Sequence, residues 1–237
     1  MALSGESADE VFGGYPWYHV PAMLNAPGFP WAPGSWAPVL RPEVDAEVRL
    51  DERAAQRYAD AQAEVPRLAG EDATEQRIRE VLYHGLTRWL PMLLDRKDRL
   101  SMAVGLEVRV PFCDHRLVEY VFNVPWAVKQ VGGIEKGLLR RASADLLPPE
   151  IVGRRKSVYP ASTDPAYART VRAQLGFLLD RPHAPLFDII DHGRLAQAFR
   201  ADPRLPGLMG VQPSPWAPAA FLLDLDAWLA EYKVALV

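Results

Sequence analysis

The run Leu3-Ser4-Gly5-Glu6-Ser7-Ala8-Asp9-Glu10-Val11-Phe12-Gly13-Gly14-Tyr15 constrains this chain more than any other stretch. A short apolar stub meets a Ser-Gly turn and then a carboxylate-rich segment, which reads as a strand-to-helix junction. Such a junction offers unpaired backbone N–H groups and a partial positive charge, a setting that suits phosphate. Gly5 lets the backbone approach a ligand closely, and Asp9 and Glu10 fall on the first helical turn. Beside a bound phosphate, Asp9 fits a magnesium ligand better than a direct contact, because two anions repel and a hard cation reconciles them. The alternative is plain helix capping, with Ser4 or Ser7 as the cap and Asp9 and Glu10 complementing the dipole. Taken alone, the run leaves both readings open.

The stub Met1-Ala2-Leu3 is too short for a buried strand, yet it leads directly into this loaded segment, whereas domains usually begin with a peripheral element. The expectation is therefore an N-terminally truncated domain, with the strand's partner and the rest of the site upstream. Residues 1–237 are read as a single domain: an active-site segment over 1–20, an excursion over 21–42 and mostly helix over 43–237. With 49% hydrophobic and 24% charged residues the balance is that of a globular chain. A net charge of −3 gives no footprint for nucleic acid or an anionic membrane, so neither is expected as a partner. The single cysteine, Cys113, excludes an internal disulfide framework and a cysteine metal cluster, which points to a reducing, cytoplasmic setting. No leader and no apolar run of roughly 18 residues is present in these residues.

Along the chain, residues 16–42 carry Pro16, Pro21, Pro27, Pro30, Pro33, Pro38 and Pro42 with Trp17, Trp31 and Trp36. Proline at that density predicts an ordered excursion rather than a regular element, with the tryptophans pinning it to a core in preference to stacking on bases. A surface helix is expected from Glu43 to about Gln62. A second helix starts at a capping box, Asp72 to Glu75, and carries Ile78, Val81, Leu82, Leu86, Trp89 and Leu93 on one face. Pro91 predicts a kink or restart there, because it biases Leu90 away from the helical region. The cluster Asp95-Arg96-Lys97-Asp98-Arg99 then leads into Gly105-Leu106-Glu107-Val108-Arg109-Val110-Pro111-Phe112-Cys113-Asp114. In an extended segment Glu107 and Arg109 share a face, so they pair with each other or flank a substrate. Asp114 is a helix cap. Arg154-Arg155-Lys156, by composition alone, is a solvated basic turn. Ser157-Val158-Tyr159-Pro160 leads to a helix capped by Asp164 and Pro165. The stripe Phe221, Leu222, Leu225, Trp228, Leu229 and Tyr232 predicts a docked closing helix. The histidines, His19, His84, His115, His183 and His192, lack metal-ligand spacing.

Three ordered motifs together carry a resemblance: Leu3 to Tyr15; Asp98-Arg99-Leu100-Ser101-Met102-Ala103-Val104 continuing to Asp114; and Glu135-Lys136-Gly137-Leu138-Leu139-Arg140. The chain resembles the synthetase part of the glutamine-hydrolysing asparagine synthetases. The likeness is carried by residues 1–20 and 95–165 and is loose over 20–75 and the last sixty or so. It implies an α/β fold of the adenine-nucleotide alpha-hydrolase-like (HUP) type, within which this fragment is predominantly α-helical. It also implies ATP and Mg2+, attack of aspartate's side-chain carboxylate on the α-phosphate of ATP, and displacement of AMP from β-aspartyl-AMP by ammonia. Matched position by position, the resemblance makes Ser4 and Gly5 ATP contacts, Glu6 the residue tied to the acyl-adenylate and Asp9 the metal ligand. Lys156, after Pro148-Pro149-Glu150-Ile151, meets the phosphates, with Lys136 the weaker candidate. Glu107 joins the catalytic set. Glu10, Arg109 and Asp98 are substrate-binding or structural.

Departures from the family pattern bear on these expectations. These residues contain no leading nucleophilic cysteine and no Ser-Gly-Gly-x-Asp-Ser loop, the family's pyrophosphate grip and source of a second magnesium carboxylate. Glutamine hydrolysis and the delivery of ammonia are therefore expected from an N-terminal domain, and residues 1–237 alone are expected to show little activity. Cys113 stands where the family usually has leucine and reads as a small hydrophobe. A homodimer is compatible with the resemblance. Two alternatives remain: the same adenylation on another carboxylate, as in β-lactam-forming and peptide-cyclising relatives, or an inactive partner-binding subunit with an open sheet edge. Glu6, the residue type of the amide-forming enzymes, favours asparagine formation over the first of these.

Overall fold

The computed structural model describes residues 1–31, 34–156, 164–209 and 214–234; Pro33 and the segment Ser157–Pro160 lie outside them. In chain order the elements are β1 (Ala2–Leu3), α1 (Ala8–Phe12), α2 (Pro21–Leu24), α3 (Pro42–Val48), α4 (Leu50–Ala63), α5 (Ala73–His84) and α6 (Leu90–Met102). They continue with β2 (Val108–Arg109), α7 (His115–Phe122), α8 (Trp126–Lys129), α9 (Gly137–Ala142), α10 (Pro149–Val152), α11 (Pro165–Leu179), α12 (His192–Ala201) and α13 (Ala217–Tyr232). The described chain is predominantly helical, and none of its helices is long and apolar enough to cross a membrane. It divides into two compact units, Met1–Pro30 with Ala59–Lys156, and Trp31–Tyr58 with Ser157–Val237.

In the first unit β1 pairs in parallel with β2, Ala2 opposite Val108 and Leu3 opposite Arg109. The Ala2 and Ser4 N–H groups donate to the Glu107 and Arg109 carbonyls, each at 2.8 Å. The expectation that the strand's partner lies upstream is thus corrected for one edge: β2 takes it, which a stub this short gives no means of foreseeing. α1 lays Val11 and Phe12 into a core with Val121 of α7, flanked by Leu117, Leu138 and Leu139. Burial of each of the two is worth about 1.5–3 kcal/mol, and it presents the opposite side of this short helix, with Asp9, to the site.

Three local expectations are adjusted. The surface helix over 43–62 is broken: Arg49 turns left-handed (φ 47°) between α3 and α4, which lets Val44 and Leu50 both pack on the second unit's core. Asp72 does cap α5, its Oδ1 accepting from the Glu75 N–H at 2.9 Å. Leu90, however, is itself helical (φ −58°, ψ −44°); of the kink or restart expected at Pro91 the structure shows the restart, with α6 beginning at Leu90 after a wider turn over Gly85–Trp89. That turn sets Pro91 at the start of α6, where a proline is tolerated.

In the second unit Val171, Leu175 and Leu178 of α11 pack with Leu186, Leu195 and Leu222. Asp164 caps α11 as predicted. The stripe on α13 is only partly buried: Leu222 and Leu229 are covered together with Ala219 and Asp226, while Phe221, Trp228 and Tyr232 stay exposed. Asp226 is tolerated there because its Oδ1 accepts from the Leu186 N–H at 3.1 Å and Arg181 pairs with Oδ2.

Candidate active site

Everything in this site belongs to the first unit. Ser7, the residue before α1, takes a left-handed conformation (φ 78°) and makes no side-chain cap. Its hydroxyl and the Cys113 Sγ lie 2.6 Å apart in a hydrogen bond either can donate. Ser4 does not cap either: its Oγ accepts from the Glu6 N–H at 3.2 Å and from the Lys97 Nζ at 2.6 Å. The capping alternative is therefore corrected for both serines, whose hydroxyls are used across the loop. Gly5 is exposed with open space around it, so its backbone is accessible. Lys97 of α6 also forms an ion pair with Glu6.

Asp9 is the centre of charge. Its Oδ1 accepts from the Lys136 Nζ at 2.7 Å and its Oδ2 from the Lys156 Nζ at 2.6 Å. Burial works against the carboxylate's charge, but the bonds from Lys136 and Lys156 outweigh it and hold its pKa below the ordinary value. The chain is shaped to admit this carboxylate. Gly13 ends α1 in a left-handed conformation, and a Cβ on Gly14 would lie 1.9 Å from Asp9 Oδ1. Lys136 itself is left-handed (φ 55°), a conformation that costs a non-glycine residue on the order of 1 kcal/mol or more. Glu135 and Arg140 hold the two lysines in register. Arg140 bonds the Glu135 carbonyl and carboxylate, each at 2.8 Å, and also the Val152 carbonyl, while Glu135 Oε1 accepts from the Lys156 N–H.

Aromatic side chains wall the cluster. The Lys156 Nζ stands 3.9 Å from the centroid of the Tyr15 ring, a cation–π arrangement. Tyr15 stacks on Trp17 at 4.1 Å and meets Trp89 edge-on, so Trp17 pins the loop as expected. The Trp89 Nε1 donates to the Tyr15 Oη, which donates to Glu10 Oε1 at 2.8 Å. Glu10 is 1% exposed, and among the described residues its Oε2 has no hydrogen-bond partner. Burial pushes its pKa up, against the bond from Tyr15.

Of the residues picked out from sequence, Ser4, Glu6, Asp9, Glu10 and Lys156 are thus clustered on or against one loop. Glu107 and Arg109 are not part of the cluster: both are exposed and pair with each other at 2.7 Å, while their backbone holds β1. The Asp98 side chain is exposed on α6. Sequence reading missed Lys97 and undervalued Lys136. For Lys97 the only signal was its place in a mixed charge run; for Lys136 it was the motif Glu135 to Arg140.

A carboxylate held between two ammonium groups, beside an accessible Ser-Gly backbone, is a site that can exchange its internal counter-ion for an anionic ligand. Comparison with known proteins identifies the lineage: the family model described as asparagine synthase matches residues 1–230, and the chain belongs to that family. It is 36% identical to asparagine synthetase [glutamine-hydrolyzing] 3 of Bacillus subtilis, over 99% of this chain and 38% of that protein. Asparagine synthetase [glutamine-hydrolyzing] 1 of the same organism is 28% identical over 68% of the chain and 30% of its own length. The asparagine synthetase [glutamine-hydrolyzing] of Gallus gallus is 46% identical over 27% of the chain and 12% of its own length. The chain spans less than two fifths of the length of these relatives.

Proposed function

We propose that this chain is the part of an asparagine-forming ligase that activates aspartate with ATP, on the family's adenine-nucleotide hydrolase-like fold. The observation that carries the reading is Asp9, bound at once by Lys136 and Lys156 on the loop that begins at Ser4-Gly5. In this reading the Ser4-Gly5 backbone receives the nucleotide, and the two lysines transfer from Asp9 to phosphate oxygens as ATP enters. Their ammonium groups then meet the charge that develops as the aspartate carboxylate oxygen bonds to the α-phosphorus and the bond to pyrophosphate breaks. Stabilisation of this kind by preorganised charge carries phosphoryl chemistry. Glu6, held by Lys97, serves the second half: ammonia's nitrogen bonds to the acyl carbon, the bond to AMP breaks and AMP leaves, and the proton lost from the nitrogen passes to the Glu6 carboxylate.

Magnesium binds such sites through one or two carboxylates together with substrate phosphates. Asp9 fits that role: its carboxylate is ionised and lies in a pocket that already accommodates positive charge. Asp9 would hold the ion, which when bound neutralises charge on the phosphates. Glu10, buried and partnered by Tyr15, would support Asp9 from behind without touching the ion.

Ammonia would come from glutamine hydrolysed elsewhere in the protein, in a cytoplasmic setting. The test is ATP–pyrophosphate exchange by the protein that carries this chain. Exchange that depends on aspartate supports the reading; exchange with another carboxylic acid moves the assignment to a related ligase, and none in a folded sample overturns it.

A further inference from the structure

A separate cleft of about 390 Å3 opens in the first unit, between the start of α5 and the turn from α7 into α8. Ile78, Leu82, Phe122 and Trp126 give it apolar walls, and Glu75 and Lys129 lie in the same lining. The volume is within the range of about 300–1,000 Å3 that small-molecule sites occupy. None of these residues belongs to the Asp9 cluster.

Lys129 is the anomaly. It is 1% exposed, and among the described residues its Nζ has one hydrogen-bond acceptor, the Phe122 carbonyl at 3.2 Å. An ammonium has three donors, so two are left over where water has been displaced. Among the described residues no carboxylate forms an ion pair with it. The neighbouring Arg79 is committed to Glu71, at 2.7 Å through Nε and 2.6 Å through Nη2. Burial first, and the Arg79 charge second, pull the Lys129 ammonium down to about 8 against the pull of Glu75. A carboxylate set beside it would supply both the missing acceptors and the missing counter-charge.

Glu75 is the complementary group. It is half-buried, forms no ion pair among the described residues, and its Oε2 has only a long contact, 3.5 Å, from the Trp126 N–H. The cleft thus joins a cation lacking acceptors, an acid lacking a cation, and an apolar wall between two aromatic rings. That is the complement of a free amino acid: a carboxylate, an ammonium and a carbon skeleton.

We propose that this cleft binds a free α-amino acid, with its carboxylate on Lys129 and its ammonium on Glu75. The site does not depend on the adenylation reading, and it stands or falls on binding alone. Isothermal titration of the 237-residue chain with glycine, L-alanine and L-leucine tests it, alongside 4-methylpentanoate, which lacks the ammonium, and 3-methylbutylamine, which lacks the carboxylate. Saturable binding of at least one amino acid is expected. Loss of one charge-assisted contact should weaken it about tenfold or more, in Lys129→Met, in Glu75→Gln, and in each singly charged analogue relative to leucine. Circular dichroism confirms that each variant is folded, and Glu75→Gln changes only a half-buried group should Lys129→Met fail that check. The proposal is overturned if no amino acid binds saturably, if neither substitution weakens binding, or if 4-methylpentanoate binds as tightly as leucine.

Discussion

Lys156 and Lys129 belong to the same unit and meet opposite surroundings. Lys156 is about one third exposed, rests on the Tyr15 ring and donates to an ionised carboxylate, Asp9. Lys129 is buried in the wall of the cleft beside Phe122, with a backbone carbonyl as its only acceptor among the described residues. The difference teaches where each charge's energy resides. Around Asp9 each of the two cations, Lys136 and Lys156, has an ionic partner, one oxygen of the same carboxylate. Around Lys129 the protein has left the desolvation cost unrelieved, and the folded state carries it.

The largest effect should come from removing the paired cation. Lys156→Ala is expected to lower aspartate-dependent ATP–pyrophosphate exchange by about 100- to 1,000-fold, mainly in kcat, with Lys136→Ala in the same range. An unchanged rate would remove Lys156 from the chemistry and break the comparison on that side.

Lys129→Met probes the other lysine. A pKa brought from 10.5 down to about 8 by folding costs stability on the order of 3 kcal/mol at pH 7. The unfolded chain binds this proton more tightly, so the penalty is fully present below pH 8 and is relieved as pH rises from 8 towards 10.5. Lys129→Met should therefore be more stable than the parent in urea at pH 7 by about 1–3 kcal/mol, with the gap narrowing between pH 8 and 10.5. A gap that is constant across that window would show that burial does not govern this lysine.

A smaller loss is expected where the carboxylate is seated. Gly14→Ala places a methyl against Asp9 Oδ1 and should cost about 1–3 kcal/mol in a urea melt, with exchange falling as Asp9 is displaced. Cys113→Ala removes only the contact to Ser7 and should cost about 0.5–1.5 kcal/mol, leaving exchange within about threefold. A far larger loss of activity there would make the Ser7 conformation part of the active site.

The sequence alone determined which segments supply the clustered charged residues. The Ser-Gly turn, the adjacent acids and the motifs at 98–114 and 135–140 are local patterns whose order is specific, so Ser4, Glu6, Asp9, Glu10 and Lys156 were legible, as were the caps at Asp72, Asp114 and Asp164. Partnership across the site was not legible, because it is a matter of side chains brought together from about ninety residues apart or more. The Glu107–Arg109 pair, two residues apart on one face, was legible, whereas that Asp9 binds two lysines at once and that Lys97 meets Glu6 are decided by how α1, α6 and α9 pack. The same holds for Lys129, which in sequence is an ordinary charge in a short helix. Only folding, which buries it beside Phe122 and, among the described residues, gives it no ion pair, turns it into a cation in want of a partner.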